Sequence, residues 1–153
     1  MGAKQVAITW LERSLAGLDR LARRRGESQA PAHLKVGLSG EDAAFFALLR
    51  KNYTVVARRW SAGTLPGDVD LVAWQGPLLC FIEVKTRSAR DTTPAEAAVD
   101  GNKRRVLRRL AKAYLRHLDQ RETPQVRFDV ISVYLVGGAK AEIEHFENAF
   151  GWN

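Results

Sequence analysis

Asp70, Glu83 and Lys85 flank a turn signal at Gln75-Gly76-Pro77. With Gly76 and Pro77 at the tip of a hairpin, cross-strand partners have numbers that sum to 153, which sets Asp70 opposite Glu83. Side chains alternate along a strand, so Lys85 shares the face of Glu83, together with Val72, Trp74, Leu79 and Phe81. Carboxylates opposed across a ladder have Cβ atoms about 4.5–5.5 Å apart. At ~5 Å and an effective dielectric near 20, their repulsion is on the order of 3 kcal/mol. A structural hairpin gains nothing from that cost. A divalent cation would remove it, and an oxygen-only donor set without Cys or His selects Mg²⁺ or Mn²⁺. Lys85 also offsets the repulsion, so the pattern reads equally as a metal site or as a structural ion cluster. Glu83 and Lys85 follow the apolar run Leu78-Leu79-Cys80-Phe81-Ile82, which puts charge where the strand leaves the core. Such a partly dehydrated setting suits electrostatic catalysis.

The elements that must position these residues are legible from periodicity. Ile8 to Arg25 reads as an amphipathic helix ending in Arg23-Arg24-Arg25-Gly26, and Glu27 to Val36 as a linker. Helix capping accounts for the arginine triplet as well as nucleic-acid binding does. Ser39 is the expected N-cap of a helix running to about Lys51, broken by Asn52. Strands follow at Tyr53–Trp60, Asp68–Trp74 and Leu78–Lys85. Thr86 to Gly101 lacks a core pattern and reads as a loop. Asn102 is the expected cap of a strongly basic helix from Lys103 to about Leu118. Arg127–Val136 and Ala141–Phe146 are the last strands, around Gly137-Gly138.

The chain has 153 residues, 46% hydrophobic and 27% charged, which is the balance of a folded domain and excludes disorder throughout or a disulfide scaffold. The single Cys80 lies among apolar residues and reads as a buried reduced thiol. With 24 Lys and Arg against 17 Asp and Glu, the net charge of +7 favours a polyanionic partner. No stretch approaches the ~20 apolar residues of a membrane span, and Met1 to Trp10 is no secretory signal, so a cytoplasmic protein without a membrane partner is expected.

A wider set of residues carries a resemblance. Gly40-Glu41, Gly67-Asp68-Val69-Asp70-Leu71-Val72-Ala73, Phe81-Ile82-Glu83-Val84-Lys85-Thr86-Arg87, Lys103 and Arg127-Phe128-Asp129-Val130 resemble the YraN family of small bacterial proteins. Asp70 with Glu83-Val84-Lys85 is similar to the signature of the PD-(D/E)xK nuclease superfamily, and the family is similar to archaeal Holliday junction resolvases. The resemblance covers roughly Gly37 to Phe150. It departs at Gly67-Asp68, where the family more often has Gly-Glu, and at Arg58-Arg59-Trp60-Ser61, where it favours Asn and Arg.

The resemblance implies an α/β fold with a restriction-endonuclease-like core. A mixed central β-sheet in the order α-β-β-β-α-β is flanked by helices over residues 38–153, after an N-terminal helical extension over 1–37. It implies Mg²⁺- or Mn²⁺-dependent endonuclease action on DNA, branched or junction DNA included. A nucleic-acid-binding module that keeps the fold without catalysis is the alternative. The carried-over roles are Asp70 and Glu83 as metal ligands with the Val84 carbonyl, Lys85 to orient or activate water, and Glu41 as a further acidic ligand or water-positioning group. RNA stays open as a substrate, and a homodimer is implied by the resolvases, which must cut twice.

Among the remaining cations, Arg87, Lys103, Arg104, Arg108 and Lys112 are candidate phosphate contacts. Asp129 reads as structural, paired with Arg127 or a helix base. His33, His117 and His145 lack metal spacing, and Trp10, Trp60, Trp74 and Trp152 read as core or interface rather than base-stacking residues.

Overall fold

The computed structural model describes residues 32–87, 99–118, 123–135 and 140–153, with 32–39 described as helical backbone alone. In chain order these form α1 (Ala32–Arg50), β1 (Thr54–Trp60), β2 (Val69–Gln75), β3 (Leu78–Arg87), α2 (Gly101–His117), β4 (Val126–Tyr134) and β5 (Glu142–Phe150). One five-stranded mixed sheet takes the order β1-β2-β3-β4-β5. Only β3 and β4 run parallel, joined through α2, and the other neighbours are antiparallel. The predicted α-β-β-β-α-β order is present, with β5 as a fifth strand.

Two apolar layers hold the helices to opposite faces. Ala44 and Leu48 of α1 pack with Leu71, Ala73, Cys80, Ile82, Ile131 and Val133. Leu107, Leu110 and Ala111 of α2 pack with Val72, Leu79, Phe81, Phe128 and Val130. The central strand β3 is covered on both faces, which is why its first half is a continuous apolar run rather than an alternation.

Local signals explain the boundaries. Asn52 takes φ +62 after α1, with Tyr53 N–H donating to the Leu48 carbonyl and Asn52 N–H to the Leu49 carbonyl. This is a Schellman end, completed by contact between Tyr53 and Leu48 in one cluster. Gly76 takes φ +57 in the two-residue hairpin loop, a conformation that favours glycine at that position.

Several boundaries differ from the sequence reading, among them β4, which spans Val126–Tyr134 rather than Arg127–Val136, and β5, which runs on to Phe150 rather than ending at Phe146. α1 begins at Ala32, so Ala32–Val36 are helix rather than linker, Ser39 is interior rather than the cap, and position 37 falls inside a helix. Between Ala32 and Ser39 there is no proline and only the single Gly37, which a helix tolerates, and Pro31 precedes the helix in sequence, where proline suits a helix start. α2 is capped by Asp100 rather than Asn102, because the Asp100 side chain accepts the Lys103 N–H at 2.8 Å. The segment read as a loop from Thr86 gives β3 two more residues, and Val99 is buried in the core beneath α2. The helix expected over 8–25 and the middle of that loop, 88–98, lie outside the described residues.

Candidate active site

The β2–β3 ladder runs from Gln75–Leu78 to Leu71–Ile82 in the register that sums to 153, as the hairpin arithmetic requires. Beyond Leu71 and Ile82 the regular pairing ends. There the Asp70 carboxylate accepts the Val84 backbone N–H at 2.6 Å. A side chain thus takes the place of a ladder acceptor, and Asp70 is held beside Glu83 where the two strands part.

Glu83 is 3% exposed. Its Oε1 lies 2.9 Å from Lys85 Nζ, and its Oε2 lies 3.0 Å from Lys103 Nζ. The second contact is an ion pair without a directed hydrogen bond, because Glu83 Oε2 is buried and has no hydrogen-bond donor in good geometry. Lys103 arrives from the first turn of α2, anchored by the Asp100 cap, and also reaches the Asp68 carbonyl at 3.5 Å. Burial pulls its pKa down, but the negative charge of the paired Glu83, with Asp70 and Asp68, outweighs that and leaves it raised. Burial pushes the Asp70 carboxyl up to about 7, and the Glu83 charge adds to the push. The Val84 N–H and Lys103 pull it back, while Glu41 raises it further.

Glu41 comes from α1, on the opposite face of the sheet. A Cβ on neighbouring Gly40 would fall 1.8 Å from Thr86 Oγ1, so only glycine lets α1 approach the end of β3 this closely. Glu41 is 9% exposed and pairs with Arg59, Nε to Oε2 at 3.0 Å and Nη2 to Oε1 at 3.3 Å. Glu41 Oε2 is likewise buried without a directed hydrogen bond. Arg59 is a site residue that sequence reasoning did not single out; its signal was the Arg58-Arg59 pair at the end of β1.

The structure therefore gathers Asp70, Glu83, Lys85 and Lys103, and Glu41 acts on Asp70 through its charge. Among the described residues, no group of three or more His, Cys, Asp or Glu side chains forms a ready ligand cage. Arg87 ends β3, where its carbonyl accepts the Leu135 N–H. Arg104, Arg108 and Lys112 share one face of α2, but that face is laid on the chain's C-terminal residues. The Arg104 and Arg108 guanidinium groups stand over the Phe150 ring at 5.6 Å, and Lys112 Nζ lies 6.0 Å from the Trp152 ring centre.

A second polar cluster lies on the α1 face at the other end of β4. Asp129, fully buried, receives Arg127 Nε at 2.8 Å, His145 Nε2 at 2.9 Å and the Asn148 N–H at 2.9 Å. Burial would raise its pKa, but these partners overcome that and hold it below the usual value. Asn148 takes φ +53 on β5, and the β4–β5 register shifts between Phe128 and Val130, so Asp129 pins an irregular strand pairing. The structural reading of Asp129 holds. His117 is occupied too, its Nδ1 2.8 Å from the Ala113 carbonyl oxygen, and Cys80 is buried.

Among the described residues, no helix is long and apolar enough to cross a membrane.

Comparison with known sequences places these residues in a wide bacterial context. The profile of a family described as "Uncharacterised protein family UPF0102" matches residues 40–133, a span that begins at Gly40 and includes every residue of the acidic site. A UPF0102 protein of Koribacter versatilis is 47% identical over 124 residues, 81% of this chain and 85% of its own length. One from Rhodococcus opacus is 39% identical over 119 residues, 77% of this chain and 98% of its own. One from Porphyromonas gingivalis is 40% identical over 119 residues, 77% and 85% of the two chains.

Proposed function

This chain belongs to the UPF0102 family, and from that premise we propose that its acidic site makes it a Mg²⁺- or Mn²⁺-dependent endonuclease that hydrolyses phosphodiester bonds in DNA, branched or junction DNA included. The observation that carries this reading is the parting of β2 and β3 around Asp70 and Glu83, with Lys85 and Lys103 one on each oxygen of Glu83. It accords with a restriction-endonuclease-like reading of the α-β-β-β-α-β core and with the resemblance to PD-(D/E)xK nucleases.

The donor set fits a hard divalent cation. Asp70, Glu83 and Glu41 offer oxygen alone, and Oε2 of both glutamates is buried without a directed hydrogen bond. The Asp70 carboxyl, held up to about 7 by burial and by Glu83, would be drawn back to its ionised form by such a charge. Asp70, Glu83 and the Val84 carbonyl would hold the ion, with Glu41 as a further ligand or water-positioning group. When bound, the cation supplies Lewis-acid polarisation of the phosphate and eases deprotonation of water. Lys85, about one-third exposed, orients the attacking water and stabilises charge developing on the phosphate oxygens. Lys103 keeps its proton and holds Glu83 Oε2 in place.

One observation favours the other reading, a nucleic-acid-binding module without catalysis: both oxygens of Glu83 already face a lysine, which neutralises the acid without a metal. A labelled panel of single strand, duplex, flap and four-way junction, with and without Mg²⁺ or Mn²⁺, separates the two. Metal-dependent cutting lost in Lys85→Ala supports the nuclease. Salt-sensitive binding with no cutting by either protein overturns it in favour of the binding module.

A further inference from the structure

Trp152 is 41% exposed, so it is not a buried core residue. Its ring is nonetheless firmly placed, edge-on to Phe128 at 4.9 Å, while Phe150 stacks on Phe128 at 5.0 Å. Beside it opens a cleft of about 410 Å³, lined by Trp152, Leu115, Pro124, Val126, Gln125 and Lys112. The cleft is largely apolar, with the Lys112 cation at its edge.

Arg108 donates from Nε to the Gly151 carbonyl at 2.8 Å and from Nη2 to a main-chain oxygen of Asn153, and stands over Phe150. Lys112 stands over Trp152 and, among the described residues, has no carboxylate partner. The Lys112 charge is cushioned by a ring but not neutralised, so an anion beside Trp152 gains an uncompensated attraction.

We propose that Arg108, Lys112 and Trp152 form a single-stranded DNA subsite, with the two cations on the backbone and an unpaired base stacked on Trp152 in the cleft. The inference rests on the DNA reading of the acidic site and adds to it a preference for substrates with an unpaired flank. A fixed aromatic ring beside a row of cations is the combination by which single strands are held, since every base has a face to stack and every nucleotide a charge. Duplex DNA keeps its bases within the helix and would use the cations alone.

The test is fluorescence anisotropy of the full chain with a labelled twenty-thymidine strand and a blunt twenty-base-pair duplex, in EDTA and again with Ca²⁺. Trp152→Ala should weaken single-strand binding by roughly tenfold, the range expected for loss of one stacked base, and leave duplex binding within about twofold. Trp152→Phe should restore most of the single-strand affinity, which a loss of packing at the C-terminal segment would not predict if melting is unchanged. Lys112→Ala should weaken both ligands and lower the salt slope on the single strand by about 0.7. Equal loss on both ligands in Trp152→Ala, or no loss on either, overturns the subsite while leaving the DNA reading intact. A wild-type chain that binds neither ligand overturns both.

Discussion

Gly40 on α1 and Thr86 on β3 touch so closely that a Cβ on Gly40 would fall 1.8 Å from Thr86 Oγ1, 3.0 Å from its Cβ and 3.1 Å from its Cγ2. Thr86 directly follows Lys85, and Gly40 directly precedes Glu41, so this contact brings α1 and its acid to the end of β3 that carries the lysine. A β-branched threonine has little rotamer freedom with which to retreat.

Gly40→Ala should therefore cost about 1–3 kcal/mol of stability, the range for overpacking a fitted contact. Its better helix propensity would return less than that. Thr86→Ala removes the two atoms that crowd the new methyl beyond the Cβ itself. The double variant Gly40→Ala/Thr86→Ala should recover a large part of the loss. Urea unfolding of the four proteins gives the coupling energy, and strict additivity would contradict the contact.

Mg²⁺ should raise the melting temperature of the wild-type chain by mass action. Near a hundredfold excess over its dissociation constant the gain is about 2.7 kcal/mol, worth roughly 2–4 °C per kcal/mol for a chain of this size. Asp70→Asn and Glu83→Gln each remove a charge that would hold the ion and should abolish the rise. Thermal scans with and without Mg²⁺ decide it, and an equal rise in all three proteins would place the ion elsewhere.

The acidic site was legible before its fold because it depends on one hairpin, whose register follows from the tip at Gly76-Pro77. Contacts between distant segments were not. Glu83 to Lys103 and Glu41 to Arg59 join different elements, and no periodicity within one element predicts such pairs. The start of α1 was missed because Ser39 has the chemistry of a cap but sits among residues that continue a helix. Asp100 and Asn102 both have the chemistry of a cap, and the burial of Val99, which sets where α2 begins, is a tertiary fact that the local sequence does not carry. Arg104, Arg108 and Lys112 share a face of α2, whereas Lys103, grouped with them from the sequence, turns to Glu83, and neither set of partners can be read from α2 alone.

Cys80 should resist alkylation in the native state. Burial, with the nearby Asp129 charge, pushes its thiol up to about 12, so at pH 8 almost no thiolate is present. Iodoacetamide followed by mass spectrometry should leave the folded chain unlabelled over the time in which urea-unfolded chain is fully labelled. Rapid labelling of the folded chain would mean that the β3–β4 core opens readily.

Asp129 should set much of the acid limit of stability. Its partners Arg127, His145 and the Asn148 N–H hold its folded pKa below the ordinary 3.8. A depressed carboxyl contributes stability that is fully present above its unfolded value and is lost as pH falls through the folded one. The contribution should therefore be intact at neutral pH, begin to fade near pH 4 and vanish at lower pH. Asp129→Asn keeps the shape but leaves Arg127 and His145 without their anion, and should cost about 3–5 kcal/mol at neutral pH, the range for a broken buried pair. The two proteins should converge in stability as pH drops below 4, because the wild type loses an interaction that the variant never had. Urea titrations from pH 6 to pH 3 measure the gap. A gap that stays constant across that range would show that Asp129 acts through shape and hydrogen bonding to the β5 irregularity at Asn148, and not through its charge.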